Sequence, residues 1–181
     1  LATNSHYYNC GWIDTMNVNQ IPASNEFAIV KSHSLSHPLI GRIKSQHGVL
    51  LLYTYRDLRD VIVSKLKKNE EFFSTKKVER WLTEFISSDR QIRSQEKLYC
   101  CRYETFYDKI KNEVVKIADF LNVPIEEETA GQISESLSIN NLKNQIKSDI
   151  KSYDKISLFH RNHIHSGEVG QWKNYLNKFQ S

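Results

Sequence analysis

Proline and glycine are scarce in this 181-residue chain, at three and six residues, and cysteine is limited to three. Such counts exclude collagen-like and Pro/Gly-rich disordered architectures. Cys10, Cys100 and Cys101 have neither the number nor the spacing of a disulfide framework or a zinc site. Their plain reading is reduced, mostly buried thiols, which points to a cytoplasmic setting. Long hydrophobic runs are missing as well. The longest strongly apolar one, Val49 to Tyr53, falls far short of the ~18 residues a membrane-spanning helix needs, so no membrane partner is expected. The opening residues, Leu1-Ala2-Thr3-Asn4-Ser5, lack the basic-then-apolar order of a secretory leader. Charge of a single sign is absent too. Twenty-five Lys and Arg are interleaved with 21 Asp and Glu, as in Lys65-Leu66-Lys67-Lys68-Asn69-Glu70-Glu71. That pattern suits a solvated helix face rather than a nucleic-acid footprint, while the net charge of +4 is compatible with a small polyanionic ligand.

What is present reads as one globular domain over residues 1–181, 39% hydrophobic and 25% charged. Glu26 to Lys31 has the character of a short buried strand, and Val49 to Thr54 that of a parallel strand covered on both faces. Leu58, Val61, Ile62, Lys65 and Leu66 then recur at helical spacing. A longer helix is expected over Lys76 to Ser94, with Val78, Trp81, Leu82, Phe85 and Ile86 inward. Leu98 to Arg102 reads as a third strand, followed by a helix from Thr105 to Leu121 that stops before Asn122-Val123-Pro124. Shorter helices fill 125–155, and Val169, Trp172, Tyr175 and Leu176 share one side of a last amphipathic stretch. Strands alternating with helices give an α/β class with a mainly parallel central sheet.

Ligands of such sheets collect beyond the carboxyl ends of the strands. Chemistry is therefore sought at Lys31, Ser32 and His33 after one strand and at Arg56 through Asp60 after the next. In the second segment an arginine fork and the Ser64 hydroxyl form a suitable pair for a phosphate. Arg56 paired only with Asp57 or Asp60, and Ser64 as a small helix residue, is the plainer alternative.

Tyr55-Arg56-Asp57-Leu58-Arg59-Asp60-Val61-Ile62-Val63-Ser64 resembles the 3′-phosphate-binding segment of sulfotransferases that use 3′-phosphoadenosine 5′-phosphosulfate (PAPS). Leu58 replaces the usual proline. Ile29-Val30-Lys31-Ser32-His33 resembles the family's Lys-Thr-His stretch, and Leu98 to Glu104 its Tyr-Glu-Asp stretch, with Thr105 in place of the aspartate. Gly167-Glu168-Val169-Gly170-Gln171-Trp172-Lys173 is similar to the closing Gly-x-x-Gly-x-Trp-Lys pattern. The four segments fall in the family's order between residues 27 and 176.

The resemblance implies a P-loop-kinase-like sulfotransferase fold and transfer of a sulfuryl group from PAPS to a small-molecule hydroxyl or amine, releasing PAP. It implies that Arg56 and Ser64 grip the 3′-phosphate, that Tyr103 approaches the adenine, and that His33 is the base with Lys31 beside it. His165 and Ser166 stand where many members have Arg-Lys, so with Gly167 they make a less cationic phosphate loop. The family's Lys-Ser-Gly-Thr-like phosphosulfate loop has no counterpart in the chain and is expected just before Leu1, with its strand. No metal is required. Two rival readings are a PAP-binding module without catalysis and a metalloenzyme built on His160, His163 and His165. The acceptor is expected among loops at Asn9 to Ser24, His33 to His47 and Phe72 to Trp81. Tyr7, Tyr8, Trp12, Phe72, Phe73 and Trp81 are candidates for its walls or for core.

Overall fold

The computed structural model describes residues 8–12, 28–32, 38–46, 48–68, 74–149 and 167–176. The chain divides into two compact units, Leu1–Val49 with Tyr153–Phe159 and Leu50–Ser152 with His160–Ser181. In the first unit, β1 (Tyr8–Trp12) pairs in parallel with β2 (Ala28–Lys31), Trp12 standing opposite Lys31, and α1 (Pro38–Gln46) follows. Neither β1 nor α1 is legible in hydrophobic periodicity, and both fall in segments expected to be loops. Asn9 and Gly11 are poor strand formers, and the register shifts between these two residues. For α1 a signal did exist: Pro38 occupies the first helical position, where a missing N–H costs nothing.

The second unit holds β3 (Leu51–Tyr55), α2 (Leu58–Lys68), α3 (Thr75–Arg93), β4 (Leu98–Arg102), α4 (Tyr103–Phe106), α5 (Ile110–Phe120), α6 (Glu127–Ser136), α7 (Ile139–Asp149) and α8 (Gln171–Leu176). Strands β3 and β4 run parallel, Leu51 opposite Leu98 and Tyr55 opposite Arg102. Parallel strands with flanking helices are thus what the alternating pattern implied. Ile62 and Leu66 of α2 bury against Trp81 of α3, and Val78, Leu82, Phe85 and Tyr175 close around them. Trp81 is therefore core rather than pocket wall. Ile86, expected inward, is 42% exposed, and Val169, placed on the apolar side of the last stretch, is also exposed.

Strand β3 departs from its expected two-sided cover. Leu52 is 52% exposed, and burial alternates along the strand. The covered face carries Tyr53 and Tyr55, stacked with ring centroids 5.7 Å apart. Arg93 of α3 lies 4.3 Å from the Tyr55 centroid, and the Tyr53 hydroxyl donates to Asp89 at 3.1 Å. The adjacent cysteines of β4 divide as a strand's two-residue period requires: Cys101 is buried and Cys100 exposed. The Cys101 thiol donates to Glu113 at 2.9 Å, and burial together with that carboxylate pushes it up to about 12. The side chain of Cys10 lies outside the described residues.

The helix expected over Thr105 to Leu121 is two helices. Tyr107 to Lys109 form a turn, with Lys109 at the non-helical φ −130°, ψ 38°. The end of α5 is as anticipated. Asn122 adopts φ 55°, its N–H reaches Asp119 O at 2.9 Å, and Val123 N reaches Ala118 O at 2.9 Å. That bonding pair satisfies carbonyls the helix would otherwise leave open, and asparagine tolerates the left-handed turn it requires.

Candidate functional site: the corner beyond β3 and β4

The parallel register assembles the site. Tyr55 and Arg102 are partners at the carboxyl ends of their strands, so the next residues, Arg56 and Tyr103, leave the same sheet edge side by side. The Arg56 guanidinium accordingly sits 4.6 Å from the Tyr103 ring centroid. Asp57 begins α2 as its N-cap: its Oδ1 accepts from Arg59 N at 2.9 Å, while its own N–H donates to Glu104 Oε1 at 2.8 Å. The same carboxylate holds the Arg59 side chain, Nε to Oδ1 at 2.9 Å. Arg59's hydrogen bonds in turn keep the Asp57 carboxyl below its ordinary value, against the opposing effect of burial.

Segment 167–172 folds onto this corner. Tyr103 donates its hydroxyl proton to Gly167 O at 2.6 Å, and burial raises that hydroxyl above the usual tyrosine value, with nearby Arg56 opposing. Arg56 Nη2 donates both to the Glu168 carbonyl and to Asp60 Oδ2, the latter at 3.2 Å. Asp60 has a side chain only 1% exposed. Its Oδ2 also accepts from Gly170 N at 2.7 Å, and its Oδ1 from Trp172 N at 3.0 Å. The Arg59 guanidinium covers the Trp172 ring at 3.8 Å.

Arg56 has five N–H donors, and among the described residues its hydrogen bonds are made by Nη2. Its Nε lies 4.0 Å from Glu104 Oε1 and is buried without a hydrogen-bond partner among the described residues. A buried donor left open is uncommon in folded proteins. Asp60 and Glu104 offset much of the arginine's charge, so what the corner offers an anion is directed N–H groups more than net attraction.

Of the residues singled out by sequence, the structure brings together Arg56, Tyr103 and Gly167. Ser64 lies on α2 four residues after Asp60, hence on the same helix face; it is half-buried. Lys31 closes β2 in the first unit, and burial pulls its ammonium below the usual lysine value. His33, His165 and Ser166 lie outside the described residues, as do His160, His163, Tyr7, Phe72 and Phe73. Tyr8 and Trp12 belong to β1, with side chains likewise undescribed. Among the described residues no group of three His, Cys, Asp or Glu is arranged for a metal, and no helix is long and apolar enough to cross a membrane. Sequence reasoning aligned Asp60 with a pattern but missed its position under the closing segment. It also missed Glu104 beneath Arg56. The one available signal was an acid four residues after an arginine at a helix start.

Gly167 and Gly170 turn the segment with φ 74° and 80°. A Cβ on Gly167 would lie 2.9 Å from Ile139 Cδ1, the movable tip of a side chain, so the backbone conformation is the larger obstacle. Gly167→Ala should destabilise the fold by about 1–2 kcal/mol, the cost of a left-handed residue with a Cβ. Urea unfolding reads this as a lower midpoint at unchanged slope. An unchanged midpoint would show that the turn relaxes freely.

The family model for the Sulfotransferase domain matches residues 10–181. The chain is 35% identical over 98 residues to cytosolic sulfotransferase 15 of Arabidopsis thaliana, covering 49% of this chain and 26% of that protein. It is 32% identical over 79 residues to cytosolic sulfotransferase 5 of the same plant, covering 41% and 24%. Each match thus spans about a quarter of the relative's length. Among solved structures, mouse sulfotransferase SULT7A1 complexed with PAP superposes with a TM-score of 0.72 at 16% identity, covering 98% of this chain and 72% of that one. Retinol dehydratase in complex with androsterone and inactive cofactor PAP gives a TM-score of 0.60 at 22% identity, covering 87% and 50%. At these identities the superpositions establish the fold, and it is the sulfotransferase fold. With the domain match running through nearly the whole length, this chain belongs to the sulfotransferase family.

Proposed function

We propose that the protein transfers a sulfuryl group from PAPS to a hydroxyl or amine of a small-molecule acceptor and releases PAP. The observation that carries this reading is Arg56. It emerges at the strand-end edge where ligands of parallel sheets bind, is held by Asp60 and lies against the Tyr103 ring, and its side chain remains 20% exposed. In this reading Arg56 and Ser64 grip the 3′-phosphate, His165, Ser166 and Gly167 supply further donors to it, and Tyr103 borders the adenine. The Tyr103 hydroxyl is committed to Gly167, so its service to the base is by ring contact.

The acceptor oxygen attacks sulfur, forming an O–S bond as the bond from sulfur to the 5′-phosphate oxygen breaks. The electron pair leaves on PAP and the acceptor proton passes to His33. Imidazole titrates near neutrality and suits that task. Lys31 would stabilise the sulfuryl oxygens, although partial burial pulls its ammonium below the usual lysine value. Nothing in the transfer needs a metal. Retinol dehydratase was crystallised with androsterone and with retinol, which favours an apolar alcohol as the first acceptor class to try. The relatives are named cytosolic, and a cytoplasmic location is proposed on that basis.

The test uses the complete gene product. PAP at a hundred times its Kd should stabilise the protein by about 2.7 kcal/mol, and PAPS with a panel of apolar alcohols should yield sulfated product. Binding of PAP without any turnover of PAPS would favour a nucleotide-binding module instead. Failure to bind PAP at all would remove the reading.

A further inference from the structure

We infer that Asp60 is a positioning residue for the 3′-phosphate: one buried carboxylate that fixes Arg56 and the closing 167–172 segment in a single arrangement, without itself touching nucleotide. The inference rests on the proposed reading of Arg56 as a phosphate contact and extends it to a residue that reading leaves idle.

The geometry is specific. A helix leaves its first N–H groups without intrahelical acceptors, and α8 has only six residues, Gln171–Leu176, too few to persist alone in water. Gly170 precedes it and Trp172 is its second residue. Both N–H groups are satisfied by Asp60, which approaches from α2, 110 and 112 residues earlier in the chain. A cap from so far away ties the start of α8 to the β3–α2 corner. Gly170 N and Arg56 Nη2 share the same oxygen, Oδ2. Arg56 also reaches the Glu168 carbonyl and Tyr103 the Gly167 carbonyl, so turn and arginine are mutually located. Arg59 over Trp172 seals the outer side. Removing the carboxylate would free the guanidinium to swing and detach the turn. Both changes fall first on the 3′-phosphate contacts, and reach the adenine only through the ring contact of Tyr103.

Asp60→Asn keeps the size but has one accepting oxygen for three donors, and its amide turns an N–H toward an N–H. Isothermal titration of wild type and variant with PAP and with adenosine 5′-monophosphate, which lacks the 3′-phosphate, separates the alternatives. PAP affinity should fall about tenfold or more, while the monophosphate changes by less than about twofold, as expected when a charge-assisted contact is lost. A PAP-selective wild type with an Asp60→Asn variant that keeps that selectivity would overturn the inference alone. Equal binding of both ligands by wild type would remove the phosphate reading and this inference with it. Equal losses on both ligands would make Asp60 a general stabiliser and overturn its positioning role. Amide hydrogen exchange on wild type decides the matter should Asp60→Asn fail to fold. Gly170 and Trp172 have no intrahelical acceptor, so their exchange should be slowed at least ~10²-fold in the free protein through Asp60. Exchange at the rate of open amides would show the contact is not kept in solution.

Discussion

Alanine at His33 should lower the single-turnover rate of sulfuryl transfer to an alcohol by about 10²–10⁴-fold, the usual consequence of losing a positioned base. PAP affinity should stay within about twofold, because a base serves the acceptor rather than the nucleotide. His33 lies outside the described residues, so the expectation rests on the Lys31-Ser32-His33 match and on Lys31 ending β2, at the edge where parallel sheets receive ligands. Rapid quench on the complete protein is the right measurement, since slow product release masks a chemical defect in steady-state rates. The acceptor must be an alcohol, because an amine already neutral at the assay pH needs the base less. A wild-type single-turnover rate would transfer the role to another residue, with His37 and His47 next in line, and would leave family membership untouched.

Arg56→Ala should weaken PAP by roughly 10- to 100-fold, corresponding to ~1.5–3 kcal/mol for a charge-assisted hydrogen bond, and should weaken adenosine 5′-monophosphate far less. The expected loss is bounded because Asp60 and Glu104 already offset much of the guanidinium's charge. Removing the arginine also strands those two carboxylates. Asp60 keeps two backbone donors, and Glu104 keeps Asp57 N and Arg102 Nε, so the variant should fold. Equal losses for the two nucleotides, measured by titration calorimetry at one ionic strength, would show that Arg56 does not read the 3′-phosphate.

What could be read in advance depended on whether the information was local. Helices α2 and α3 carry apolar residues at helical spacing, and their meeting at Ile62, Leu66 and Trp81 follows from that spacing. The stop after α5 was written in Asn122-Val123-Pro124. Strand β1 was not legible because Tyr8 to Trp12 becomes a strand by pairing with β2, about twenty residues away in the chain. The exposure of Ile86 and Leu52 escaped for a related reason: periodicity assigns a face, and the neighbouring element decides whether that face is covered. In the site, Arg56, Tyr103 and Gly167 were found through short motifs, and the register of β3 with β4 explains why the first two meet. Asp60 was legible as a partner for Arg56 but not as the anchor of the closing segment. Its importance comes from a segment beginning more than a hundred residues later, which no local window contains.

That separation along the chain also orders events on the ribosome. The β3–α2 corner emerges while its cap partners, 110 and 112 residues downstream, have yet to be made. Until they appear, Asp60 must stay hydrated or be held by Arg56 alone, since burying it unpaired would cost several kcal/mol. Completion of the corner thus waits until the closing segment has been made. Nascent chains stalled before Gly167 would carry β3, α2 and α3 with this corner still open.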